Sequence, residues 1–259
     1  MASRHNITLL SKAPPGRHIC QFHDHVDGLA ESVTLFAGTG LRRGDAVVLI
    51  TQRDHTGPLL DSIKRNGLNP TAAQAAGQLV SLDAEETLAA FMRGGMPDWD
   101  RFRKTVGSVL ESVSRGRGAT RAYGEMVNVL WANGNPAAAI KLEEYWNDLS
   151  REHPFALLCA YTLDGLDLDS YRGPLHEIGR THTDVLDTEA DERLREAVDA
   201  ASEEVLGAAF SLTLSFSGRE QRVGEHRLPI GRRTVAWLQR NMPAASQRIL
   251  ERARTLMAR

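Results

Sequence analysis

The feature that most constrains this chain is a repeated alternation of short apolar runs with segments of helical periodicity. Residues 17–22, 46–51, 78–82, 120–125 and 155–161 read as five strands. The second and fifth are almost wholly apolar, as strands covered on both faces are. Between them, residues 27–41 carry Leu29, Val33, Phe36 and Ala37 on one stripe, and 57–66 carry Leu59, Leu60 and Ile63. Residues 98–114 offer Phe102, Val106, Val109, Leu110 and Val113. Residues 136–151 open on Pro136, whose fixed φ and missing N–H suit a first turn, and align Ile140, Leu142, Tyr145, Trp146 and Leu149. Strand–helix alternation of this kind implies an α/β fold, with a mainly parallel sheet, right-handed crossovers and helices on both faces.

The pattern changes after about residue 169. Residues 184–204 form a long helical stretch with nine acidic residues against two arginines. Residues 210–216, Phe-Ser-Leu-Thr-Leu-Ser-Phe, alternate with period two, a half-buried strand signal. Residues 218–259 carry ten arginines against three acidic residues and read as two helices broken at Pro243. Opposite charge suits packing of the acidic and basic segments on each other, or across a dimer; two separately solvated faces are the alternative.

At 259 residues the chain has room for one large domain or one domain with an appendage. Its 42 % hydrophobic and 25 % charged content are those of an ordinary globular protein. A net charge of −2 leaves no chain-wide footprint for nucleic acid. The apolar runs are too short to span a membrane, and the N-terminus lacks a signal-peptide core, so a cytoplasmic protein is expected. Cys20 and Cys159 are the only cysteines, and no structural disulfide is expected in a reducing compartment.

Nucleotide hydrolysis on such a sheet requires a Gly-rich loop ending in Lys-Ser/Thr after the first strand, because backbone amides and the lysine neutralise phosphate. Here that strand runs into Gln21-Phe-His-Asp-His25, with no glycine before Gly28 and no lysine. Gly38-Thr-Gly40 reads instead as the end of a helix. His18, Cys20, His23 and His25 are the densest set of metal-ligand types, and imidazole with thiolate suits zinc or another transition metal. A buried His/Cys strand followed by an exposed turn is the competing reading. A distant contribution is offered only by Cys159, with His153.

Glu125 closes the fourth strand, at the edge where open α/β sheets bind ligands. Tyr123, Asn128 and Trp131 lie close to it in sequence, so a carboxylate, phenol, amide and indole share one crevice, a mixture suited to a small organic ligand. Alternatively Glu125 caps a helix, and Trp131 and Trp146 anchor the core. Glu143-Glu144 is expected on a solvated helix face, and His176 and His182 at the surface. No Ser/His/Asp arrangement or pair of catalytic carboxylates is evident, so no catalytic residue is assigned.

Gly16-Arg-His18-Ile-Cys20-Gln-Phe22, Gly44-Asp45-Ala-Val-Val, Arg121-Ala-Tyr-Gly-Glu125-Met and Leu130-Trp131 together resemble the MEDS family, a sensory domain of methanogens, methylotrophs and the dichloromethane-responsive regulator. Leu142-Glu-Glu-Tyr-Trp146-Asn147, Leu158-Cys-Ala-Tyr161 and His182-Thr-Asp-Val185 extend the likeness. The resemblance covers residues 14–185 and leaves 186–259 as a helical and β extension for assembly or output. It implies a RecA/KaiC-like frame without its nucleotide loop. It also implies a non-enzymatic regulatory role, with a small organic ligand and a histidine kinase or transcription regulator as partner. The His18-x-Cys20 pair fits the family pattern, whereas His23 and His25 stand where an aromatic or acidic residue is expected. The expected site is therefore His18, Cys20, Tyr123, Glu125, Asn128 and Trp131, in a protein that assembles as a homo-oligomer and needs no cofactor. The alternatives are an oligomeric interaction scaffold without a ligand, and a metal-binding protein or enzyme using His18, Cys20, His23 and His25.

Overall fold

The computed structural model describes residues 4–23, 26–167, 169–171, 174–207 and 228–258. The alternating strand expected at 210–216, and His25, lie outside these residues. The described strands are β1 (His18–His23), β2 (Ala46–Thr51), β3 (Leu79–Asp83), the two-residue β4 (Met92–Arg93) and β5 (Met96–Pro97), β6 (Thr120–Gly124), β7 (Ala156–Thr162) and β8 (Asp184–Val185). Six of them form an all-parallel sheet in the order β3-β2-β6-β7-β1-β8, while β4 and β5 make a separate antiparallel hairpin. The α/β expectation holds. Its cause is visible in the burial: every residue of β1, β2 and β6 is buried, which only helices on both faces can achieve.

The chain divides into two compact units, one of residues 2–162 with 181–184, the other of 163–180 with 185–259. In the first, α1 (Arg4–Lys12), α2 (Val26–Arg43), α3 (Arg53–Arg65), α4 (Pro70–Ala75), α5 (Ala84–Phe91), α6 (Trp99–Phe102), α7 (Ser108–Ser114), α8 (Met126–Ala132) and α9 (Pro136–Glu152) connect the strands. A π-helical turn, Arg103–Gly107, joins α6 to α7, so the helix expected over 98–114 is continuous but locally underwound. Asn69, Asp83, Asp98 and Asn135 each accept a backbone N–H at a helix start, which explains how short helices such as α4 and α6 hold their positions.

Strand register assigns the two faces. His18, Cys20 and Phe22 share one with Leu157, Cys159 and Tyr161, because Cys20 pairs with Cys159. Helix α9 lies on this face, with Trp146 against Gly124. Gln21 and His23 point to the other face, where Gln21 reaches the Gly28 carbonyl of α2. Gly38 and Gly40 do not end α2 as expected; the helix runs through them to Arg43, and Gly44, with φ of 80°, terminates it. Gly40 is there because a β-carbon would come within 2.7 Å of the Arg121 Cδ. Arg121 is buried, pairs with Asp45 at 3.0 Å and donates to the carbonyls of Leu10, Phe36 and Ser11. Its guanidinium thus fastens α1 and α2 to the sheet.

In the second unit α10 (Pro174–Thr181) precedes α11 (Glu189–Leu206), α12 (Ile230–Asn241) and α13 (Pro243–Met257). The acidic and basic segments pack together within the chain. Leu194, Val198 and Ala201 of α11 meet Val235 and Leu238 of α12 and Ile249, Leu250 and Ala253 of α13. Charge joins them as well: Arg232 and Asp191 form a buried pair at 2.6 Å, and Arg252 pairs with Glu204 near the surface. Pro243 starts α13 at its first turn, as the sequence implies.

Candidate functional site

Two buried carboxylates organise the chemistry of the first unit. Glu125 follows β6 and occupies the N-cap position of α8, but its carboxylate does not cap that helix. It crosses to the start of α3 instead. Oε2 accepts the Gln52 N–H at 2.6 Å; Oε1 accepts the Tyr123 hydroxyl at 2.7 Å and lies 2.9 Å from His55 Nδ1. The hydrogen bond to Glu125 raises the His55 pKa above its ordinary value of 6.5, more than burial lowers it. Burial beside the Glu125 charge pushes the Tyr123 phenol well up, so it stays a donor. Asn128 is also engaged: its Oδ1 accepts the Thr162 N–H at 2.8 Å and its Nδ2 donates to the Thr162 hydroxyl at 3.2 Å. Trp131 is half-buried, edge-on to Tyr161 with ring centroids 5.7 Å apart, whereas Trp146 is a core side chain. Tyr123, Glu125 and His55 thus form one cluster at the C-terminal edge of the sheet, while Asn128 and Trp131 engage β7 through Thr162 and Tyr161; nothing in the sequence pattern singled out His55.

Glu143, on α9, sits at the other constellation. It is 0 % exposed, contrary to the solvated face expected for Glu143-Glu144. The helical period explains the correction: residues 139, 142, 143, 146 and 149 share one face, and that face is buried. Glu143 Oε1 accepts the Tyr161 hydroxyl at 2.6 Å and lies 3.3 Å from His182 Nε2. Glu143 Oε2 lies 3.1 Å from His18 Nε2 and 3.5 Å from Cys159 Sγ, and that sulfur is 3.4 Å from His18 Nε2. His182 is buried, not at the surface, because the Thr183 N–H bonds the His18 carbonyl at 2.7 Å and carries residue 182 in beside β1. His176, by contrast, keeps a side chain 36 % exposed.

One atom of each of His18, Glu143, Cys159 and His182 lies within 4.8 Å of all the others, and all four residues are buried. Burial lowers the His18 pKa, and the neighbouring His182 lowers it further; Glu143 opposes both without overcoming them. Burial alone would raise Glu143, but the two imidazoles hold it well below the usual carboxylate range. The Cys159 thiol is pushed well up by burial and by Glu143. The four side chains thus combine two imidazoles, one carboxylate and one thiol, a donor set able to hold a borderline metal.

Of the ligand set expected from the first strand, His25 lies outside the described residues, and the described members do not share one face. His18 and Cys20 share a face, but His23 lies on the opposite one, near the Thr162 hydroxyl at 3.4 Å. Cys20 is buried beside Cys159 in register, and the two are not joined by a disulfide. His153 is half-buried and lines a separate cavity of about 320 Å³ with Pro15, Leu110 and Phe155.

The profile of the sensory domain described as MEDS (methanogen/methylotroph, DcmR sensory domain) matches residues 17–183. The chain belongs to the MEDS family. The matched segment begins just before His18 and ends just after His182, so the MEDS domain contains both buried constellations in full. No curated protein matches the sequence significantly. Among the described residues no helix is long and apolar enough to cross a membrane.

Proposed function

We propose that this chain is a non-enzymatic sensor that binds a small organic molecule and passes the change to a protein partner in transcriptional or two-component control. Membership of a sensory-domain family carries the reading, since the match takes in both buried polar constellations. The C-terminal sheet edge supports it further. His55 and Trp131 are only partly buried, and directly behind His55 stands a carboxylate already held by three donors. A ligand acceptor presented to His55 would compete with Glu125 for the imidazole, and Glu125 fastens the start of α3 to β6. Occupancy would then alter how α3 is held, a change that a kinase or transcription regulator can read. A homo-oligomer suits such control, and the cytoplasm supplies both partners and metabolites.

The test is a thermal-shift and ligand-observed NMR panel of small halogenated, hydroxylated and carboxylated compounds against the purified full chain. A true ligand at about 100 times its Kd stabilises the fold by about 2.7 kcal/mol. It is recovered unchanged, and its effect is lost in Trp131→Ala or His55→Ala. A panel without any shift or contact, or a compound that is turned over, would overturn the reading.

A further inference from the structure

We propose that His18, Glu143, Cys159 and His182 hold a single divalent transition-metal ion, with zinc the best fit, in a closed four-ligand site. The inference stands on the geometry and does not depend on the sensory reading. Its first support is metrical. Tetrahedral zinc, with bonds of about 2.0–2.1 Å to nitrogen or oxygen and about 2.3 Å to sulfur, separates its ligand atoms by about 3.3–3.6 Å. His18 Nε2, Glu143 Oε2 and Cys159 Sγ form a triangle with sides of 3.1, 3.4 and 3.5 Å, close to one face of that tetrahedron. His182, whose Nε2 lies 3.3 Å from Glu143 Oε1, is the fourth member of a set whose ligand atoms lie within 4.8 Å of one another.

The second support is the orientation of His18. Asn147 Nδ2 donates to the Thr181 carbonyl at 2.8 Å, which turns its Oδ1 toward His18 Nδ1 at 2.9 Å. A carbonyl oxygen accepts only, so Nδ1 carries the hydrogen and donates. In the neutral ring the Nε2 lone pair then faces the Glu143 carboxylate and the Cys159 sulfur. Two acceptors 3.1 Å apart repel unless a proton or a metal ion lies between them, and a metal ion can take that place. Holding the far nitrogen of a histidine by an outer hydrogen bond is how ligating imidazoles are oriented. Tyr161 plays the corresponding part for Glu143, donating its hydroxyl to Oε1 at 2.6 Å.

Charge agrees with this arrangement. A thiolate and a carboxylate bring two negative charges, which a divalent ion cancels inside a buried site. On binding, the Cys159 thiol gives its proton to solvent and the sulfur–metal bond replaces it. The ligands come from β1, α9, β7 and the segment after α10, so the ion would fasten distant parts of the chain to one another. Four buried protein ligands leave no open position, which makes the site structural or sensory and not hydrolytic.

The experiment uses the untagged full chain, stripped with a chelator and titrated with Co²⁺ and Zn²⁺, read by metal analysis, visible spectroscopy and far-UV circular dichroism. One ion per chain is expected, with tetrahedral cobalt bands and a near-ultraviolet thiolate-to-cobalt band. Cys159→Ser should abolish that thiolate band, and Glu143→Gln and His182→Gln should each strongly reduce retained metal. Cys20→Ser and His23→Gln should leave stoichiometry and spectrum intact. Asn147→Ala, which removes the positioning contact to His18 together with the tie to the Thr181 carbonyl, should weaken binding about 10- to 100-fold while keeping the thiolate band. A folded, stripped protein that takes up no stoichiometric metal overturns the proposal. So does a thiolate band that survives Cys159→Ser or vanishes in Cys20→Ser.

Discussion

Glu125 and Glu143 are both buried carboxylates beside histidine, yet their surroundings differ in one respect that decides what each can do. Glu125 is surrounded by donors: a backbone N–H, a phenol and an imidazole all point hydrogen toward it. Glu143 accepts from the Tyr161 hydroxyl and, at longer range, from the Cys159 thiol, and otherwise faces two imidazoles; the sulfur and the imidazole nitrogens are themselves metal-ligand atoms. A carboxylate whose lone pairs are filled from the protein is scaffold and switch. One gathered with other acceptors is a site that a cation completes. Burial alone does not distinguish the two; the direction of the hydrogens does.

Removing the cation should produce the largest effect. If ligand concentration stands about 1,000-fold above Kd, a chelator removes about 4 kcal/mol of stability, lowering Tm by about 10 °C for a chain of this size. Differential scanning calorimetry with and without chelator checks this, and the drop should disappear in Cys159→Ser. Glu125→Ala should cost about 3 kcal/mol, because it leaves the Gln52 N–H and the Tyr123 hydroxyl buried without an acceptor. Denaturant unfolding measures that loss, and retained metal should be unchanged. Equal loss of metal in Glu125→Ala would break the comparison.

A smaller effect belongs to pH. His55 has a folded pKa above 6.5, so it binds its proton more tightly folded than unfolded. Its contribution to stability is therefore complete below the unfolded value and is lost as pH rises through the raised folded pKa. NMR titration of the imidazole should give a midpoint above 6.5, and Glu125→Gln should lower it. The smallest expected effect is that of Cys20→Ser on metal retention: none, since Cys159 alone of the two cysteines reaches the cluster.

Much of the sheet was legible because its signals are local. The period of 3.6, Pro136 at a first turn, the break at Pro243, and almost wholly apolar runs such as 46–51 report backbone state from neighbouring residues. The short helices α4 and α5 and the β4–β5 hairpin went unread, since a few residues carry no period. Gly38 and Gly40 look, in sequence, like a helix stop because glycines that allow close approach, of Leu68 to Gly38 and of Arg121 to Gly40, carry the same local signal. Half of the metal cluster was visible: His18 and Cys159 were picked out by residue type. Glu143 was hidden by its neighbour Glu144, although the stripe through residues 139, 142, 146 and 149 places it inside. His182 arrives through a backbone contact across 165 residues, Thr183 to His18, which no local pattern encodes. His55 meets Glu125 across 70 residues and was equally invisible.

The most direct test of the metal assignment is zinc K-edge X-ray absorption on the purified, untagged chain. The account predicts one sulfur at about 2.3 Å and three nitrogen or oxygen ligands at about 2.0–2.1 Å, with histidine multiple scattering. A two-sulfur shell, which would bring in Cys20, or a shell of oxygen and nitrogen without sulfur would contradict it.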